Sequence, residues 1–191
     1  MAWIAVVLLV LVLVAIAIAV QAVALYNGLV QVKHQVDQAW ANIDVLLKQR
    51  HDELPKLVDA VKGYATHERG LIEDVTAMRV RAQAGGSAQD RVAAEDALSQ
   101  GVSKLLLVAE NYPALRASEV FIDLQRRISA LEEQIAHRRE FYNAAVNINN
   151  VRLEEFPDLL LTGIAGLSRK PLFEAQAAER NDVDIGAALR A

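Results

Sequence analysis

Four histidines, His34, His51, His67 and His137, are the side chains of this sequence best suited to proton transfer or metal binding. A zinc hydrolase of the HExxH type needs two of them four residues apart on one helical face, with a glutamate between. No such run occurs, and no two of the four stand at a ligand spacing on one helix. Di-metal helical bundles use Glu-x-x-His, with the carboxylate three residues ahead of the imidazole. Glu133 lies four ahead of His137, one position off. His67 and Glu68 adjoin, and adjacent residues on a helix point in different directions. The reading is therefore four exposed structural histidines, with no metal and no cofactor.

Other routes to catalysis are thinner still. Cysteine is absent, which removes disulfides, thiolate nucleophiles and zinc–cysteine sites. Gly85-Gly86-Ser87 has no lysine after it and no strand before it, so it is a loop and not a phosphate cradle. Serine and histidine form no nucleophile motif. Net charge is −4 with acids and bases interspersed, so no basic footprint for nucleic acid is present. The expectation is a protein that is not an enzyme.

The elements that would position any site begin with a long uncharged segment. Lys33 is the first charged side chain, and Ala2 to Val20 is unbroken apolar sequence. As a helix that run is about 28 Å long, close to the ~30 Å hydrocarbon core of a bilayer. A cleaved signal peptide has a basic start and a shorter apolar stretch, whereas no Lys or Arg precedes this run. Residues 1–25 are read as an uncleaved, single-pass anchor in the cell (inner) membrane, with Tyr26 and Asn27 at the interface. The one flanking cation leans toward a cytoplasmic soluble domain.

Residues 26–156 read as a helical domain. Leu29, Val32, Val36, Ala39, Ile43 and Leu46 keep the three-four spacing of a helix packed in a bundle. Continuing that register puts Arg50 and Glu53 on core positions, where the stripe fails. It restarts in a new phase at Leu54, Leu57 and Val61, with Pro55 at the restart, so a chain reversal is expected there in preference to one kinked helix. Gly85-Gly86 ends the second helix, and Ser87 with Asp90 caps the third. Ala94, Leu98, Gly101 or Val102, Leu105 and Val108 would form its buried face, and Pro113 closes it. The fourth helix, capped at Ser118, has the clearest stripe, from Phe121, Leu124, Ile128, Leu131 and Ile135 to Arg138, Tyr142 and Ala145. Asp123, Arg127, Glu133 and His137 form its solvated face. Residues 157–173 hold a short apolar patch, Leu159 to Leu167, that caps the bundle or lies on the membrane. Residues 174–191 read as a polar tail.

Several segments together resemble the LemA family of bacterial membrane proteins. They are the anchor with YNGLV (Tyr26 to Val30), the stretch from Gln35 to Glu68, AENYPALRAS (Ala109 to Ser118) and RREFYNAAV (Arg138 to Val146), then Phe156-Pro157 and Leu172-Phe173-Glu174. The chain departs from that pattern at Asn149, where such proteins carry an aromatic residue, and at Lys56, where they carry asparagine. The resemblance implies an all-α protein: an N-terminal transmembrane helix followed by an antiparallel bundle of three to four long helices, with no established reaction.

The functional expectation is binding or scaffolding at the membrane; a signalling adaptor, or a regulator of a membrane protease or transporter, is the alternative. The candidate interaction face comprises Trp40, Leu47, Tyr142, Asn143 and Asn150. Trp40 and Leu47 widen the first stripe beyond what one neighbouring helix needs. The amide-rich end of the fourth helix reads as a fraying terminus or as an inter-subunit cluster. The partners expected are membrane lipid, a second copy of the chain and an unidentified protein, with no nucleic acid.

Overall fold

Leucine at position 47, and not at 46, carries the inward stripe of the first helix, and that one-residue difference decides the architecture. Helix α1 runs without a break over Ala2–Lys62. Its buried positions after the apolar segment include Leu29, Val32, Val36, Ile43, Leu47, Arg50, Leu54, Leu57 and Val61. Taken through Leu47, the stripe makes one additional step of four and then keeps its three-four spacing; it passes through Arg50 and arrives at Leu54 on time. The expected reversal at Pro55 is therefore corrected: the proline lies inside α1. A mid-helix proline leaves the carbonyl four residues back without its N–H donor. Here that carbonyl is His51's, and Arg79 Nε donates to it at 2.9 Å. The helix continues because its one missing bond is supplied from outside.

The computed structural model describes residues 2–64 and 66–173. After α1 come a 3-10 turn at Thr66–Glu68, α2 (Arg69–Gln83), α3 (Ala88–Ala109), the short α4 (Pro113–Arg116) and α5 (Glu119–Arg152). A 3-10 turn at Asp158–Leu160 and α6 (Thr162–Ala165) follow. No strand occurs among the described residues. The chain is all-α, as the pattern of its sequence requires. The reading of residues 174–191 as a polar tail lies outside the described residues.

The actual reversal after α1 falls at Gly63 and Tyr64, and the reach of Arg79 back to His51 shows that α2 returns along α1. Gly85 and Gly86, with φ of 76° and 128°, make the next one. Ser87 then caps α3 as expected: Ser87 Oγ accepts the Asp90 N–H at 3.1 Å, and Asp90 Oδ2 accepts the Ser87 N–H at 3.1 Å. The Ser87 hydroxyl, which donates to Asp90 Oδ2 at 2.7 Å, and the Ser87 N–H hold the Asp90 carboxyl below its ordinary value.

The described residues divide into two compact units. The first comprises 2–44 and 138–170. In it Trp40 meets Tyr142 edge-on with ring centroids 5.5 Å apart, while Leu29 packs with Leu153, Leu161, Ala165 and Leu167. Moving back along α1 thus moves forward along α5, so the two segments are antiparallel. The second comprises 45–64, 66–137 and 171–173, and its core includes Leu54, Leu57, Ile72, Val75, Leu98, Val102, Leu105, Leu115, Phe121, Leu124 and Ile128. Each such large apolar side chain contributes about 1.5–3 kcal/mol when fully buried.

Candidate functional site

Inside the second unit lies a cluster of charge. Arg50 on α1 is 0% exposed. Its Nη1 donates to Ser99 Oγ at 2.6 Å and to Glu132 Oε1 at 2.9 Å, and its Nη2 to Glu95. Ser99 Oγ also donates to Glu132 Oε2 at 2.9 Å. His51 Nε2 lies 3.0 Å from Glu95 Oε1. Three helices thus meet on one guanidinium, whose planar fork suits two carboxylates at once.

Burial by itself pushes the Glu95 carboxyl up, but the His51 hydrogen bond and the charge of Arg50 outweigh it and hold Glu95 below its ordinary value. The polar atoms of the cluster are spent largely on one another, away from water. Such an arrangement ties three helices together at one point, while Arg50 Nε and His51 Nδ1 remain buried without a hydrogen-bond partner among the described residues. His51 corrects the expectation of four exposed histidines: it is buried, while His34, His67 and His137 are exposed. The signal for the cluster was present in the sequence. Arg50 falls on the stripe of α1, and Glu95 and Ser99 follow the inward spacing of α3 toward Val102.

The first unit offers a surface feature instead. Gln35, Gln38, Ala39 and Asn42 of α1 and Arg138, Phe141, Ala145 and Ile148 of α5 line an open groove of about 320 Å³. Phe141 is 53% and Ile148 46% exposed, beside three side-chain amides able to donate and accept. Exposed aromatic and aliphatic side chains flanked by adaptable polar groups are what a helical partner buries. A second groove, lined by Gln49, Asp52, Glu53, Arg127, Ala130, Leu131 and Gln134, sets charged and amide side chains around two apolar ones. Arg127 there is already paired, with Asp123 at 2.9 Å.

The candidate interaction face is only partly a face. Leu47 and Tyr142 are each 2% exposed and belong to the interior, which corrects their assignment. Trp40 is half-buried against Tyr142, so the width it adds to the stripe serves the chain's own packing. Asn143 is half-buried. Asn150 donates to Lys170 O at 3.0 Å and accepts the Lys170 N–H at 3.0 Å, while buried Asn149 donates to Ser168 O at 2.9 Å. The amides at the end of α5 therefore hold the 168–170 segment instead of fraying. Arg138 is exposed, and Arg139 takes the inward position expected of it. The sequence reading missed Phe141 and Ile148, which an inward stripe through Tyr142, Val146 and Asn149 turns outward.

An apolar helix that runs on into an all-helical domain, with no metal-ligating cluster among the described residues, defines a class of helical, membrane-associated proteins. A profile of the LemA family matches residues 39–186, and the chain belongs to that family. It is 26% identical to the protein LemA of Metamycoplasma hominis, over 83% of this chain and 73% of that one. It is 22% identical to magnetosome protein MamQ 2 of Paramagnetospirillum magneticum and 19% identical to MamQ of Magnetospirillum gryphiswaldense, in both cases over 80% of this chain. The match spans 66% of each MamQ protein, so part of their length has no counterpart in it.

Proposed function

We propose that this chain is a single-pass protein of the bacterial inner membrane that binds or scaffolds other proteins without catalysing a reaction, its domain on the cytoplasmic side. The observation that carries the reading is the groove at Phe141 and Ile148. Its α1 wall, beginning at Gln35, follows the apolar segment on the same unbroken helix. Gln35 is ten residues beyond Leu25, about 15 Å along the axis. A partner seated there is held at the membrane, and confinement raises the effective concentration of weak binders. The buried cluster supports the non-enzymatic part, since its serine and carboxylates are bonded to one arginine and its histidine to Glu95. The alternative is an adaptor or regulator of a membrane protease or transporter, which the same groove would serve.

Purification from native membranes, with and without Phe141→Ala and Ile148→Ala, tests the proposal. A protein recovered at fixed stoichiometry and lost with the double variant supports it. Recovery of a second copy of this chain marks a self-assembling scaffold, and of a protease or transporter subunit marks the adaptor. Identical recovery from wild type and variant overturns the assignment of the groove.

A further inference from the structure

From the geometry of the first unit we infer that residues Phe156–Ile164 form a second membrane contact, dipping their exposed apolar side chains into the lipid headgroup layer beside the anchor. The inference rests on the membrane anchorage proposed above. Phe156, Leu160 and Ile164 are 74%, 64% and 73% exposed, and Leu159 is also exposed. Four large apolar side chains within nine residues are an unusual thing to leave in water.

Their height along α1 is fixed by the chain itself. Ala165 and Leu167 pack on Leu29, with Leu153 and Leu161 against the same cluster. Gly166, in the left-handed conformation at φ 70°, closes α6, and the Leu167 N–H donates to Thr162 O at 2.9 Å. A Cβ at Gly166 would stand 3.2 Å from Lys33 Nζ, so the Lys33 side chain of α1 reaches the backbone of this segment. Leu29 and Lys33 are four and eight residues beyond Leu25, about 6 and 12 Å along the axis. Headgroup layers extend about 5–8 Å beyond each side of the hydrocarbon. The patch is therefore tied to the part of α1 that leaves the bilayer, which is why lipid is its occupant.

Charge does not oppose this. Glu154 is paired with Arg169 at 2.9 Å and Asp158 with Arg152, which leaves Lys33 and Lys170 against Glu155. Apolar residues buried at the headgroup boundary with cations flanking them are the pattern of interfacial segments. Here the segment is short, and the anchor supplies the affinity it lacks.

The chain has no cysteine, so single-cysteine variants of the full protein place an environment-sensitive fluorophore at will. Ile164→Cys and Leu160→Cys, in phosphatidylcholine–phosphatidylglycerol vesicles, should be quenched several-fold more by a nitroxide near the lipid headgroup than Val80→Cys on α2. They should also resist aqueous iodide. Leu13→Cys, quenched by a nitroxide deep in the acyl chain, reports the anchor independently. If that label stays deep while the Ile164 and Leu160 labels respond to iodide as Val80 does, the second contact is wrong and the anchor stands. Labels protected from both iodide and lipid nitroxide would mean that protein covers the patch, which also overturns it. A Leu13 label that lipid nitroxides do not quench would overturn the anchor and this inference together. All three labelled positions outside the anchor are exposed, so none of the substitutions disturbs the core.

Discussion

Arg79 Nε donates to the backbone carbonyl of His51 at 2.9 Å, filling the hydrogen bond that Pro55 cannot make from four residues further along α1. A side chain of α2 thus completes the backbone of α1 at the one point where its own sequence interrupts it. The relationship predicts coupling. Arg79→Met should cost about 1–3 kcal/mol in the natural background, where it strands a backbone acceptor. In a Pro55→Ala background the new N–H serves that carbonyl, and the same change should cost under about 1 kcal/mol. Denaturant unfolding of the four proteins in detergent measures it, and equal costs in both backgrounds would contradict the role given to Arg79.

Arg50 should be among the least replaceable side chains of the second unit. Arg50→Met leaves Glu95 and Glu132 charged without their common partner, and removing one side of a buried ion pair costs about 3–5 kcal/mol. Adding Glu95→Gln and Glu132→Gln to Arg50→Met should recover part of that loss, because the stranded charge goes with them. Thermal unfolding checks both. A loss below about 1 kcal/mol for Arg50→Met would mean that the cluster is solvated.

Acid should weaken this unit through Glu95. Its carboxyl titrates below the ordinary glutamate value in the folded protein, despite burial that raises it, because of the His51 hydrogen bond and the charge of Arg50. A depressed folded value means the contribution is complete above the unfolded value and is lost as pH falls through the folded one. From about pH 5 downward, wild type should therefore lose stability more steeply than Glu95→Gln. Parallel decline of the two melting temperatures would remove Glu95 from the acid response.

Much of this was legible in the residues. Uncharged sequence up to Lys33 requires an apolar helix, and the Ser87/Asp90 pair marks the start of α3 because capping is local chemistry. The inward stripe of α5 from Phe121 to Ile135 is visible for the same reason: one period, one face. The continuity of α1 was not legible, because its evidence is non-local. An arginine on a core position looks like the end of a stripe until Glu95 and Glu132 are known to meet it. A mid-helix proline looks like a turn until Arg79 is seen at its open carbonyl. Groove residues Phe141 and Ile148 were hidden differently, since exposure of an apolar side chain shows only once the inward face is fixed at Tyr142 and Val146.

Charging the apolar segment tests the anchor. Leu9→Arg with Leu13→Arg places two cations near mid-bilayer, each costing roughly 2.5–3.5 kcal/mol on insertion scales. Fractionation should find the variant in the soluble fraction or degraded. A variant that pellets with membranes and resists carbonate extraction would show that the segment is not the anchor.

The most direct measurement of the binding role is a photo-crosslinking residue at position 141, in place of Phe141, expressed in native membranes. Phe141 is half-exposed in the groove and belongs to neither the buried cluster nor the anchor. The account predicts a discrete protein adduct of fixed mass, to a second copy of this chain or to one partner, absent when the same group replaces exposed Val80 on α2. An adduct of the same kind from both positions, or none from position 141, would contradict the claim that the groove is where this protein binds.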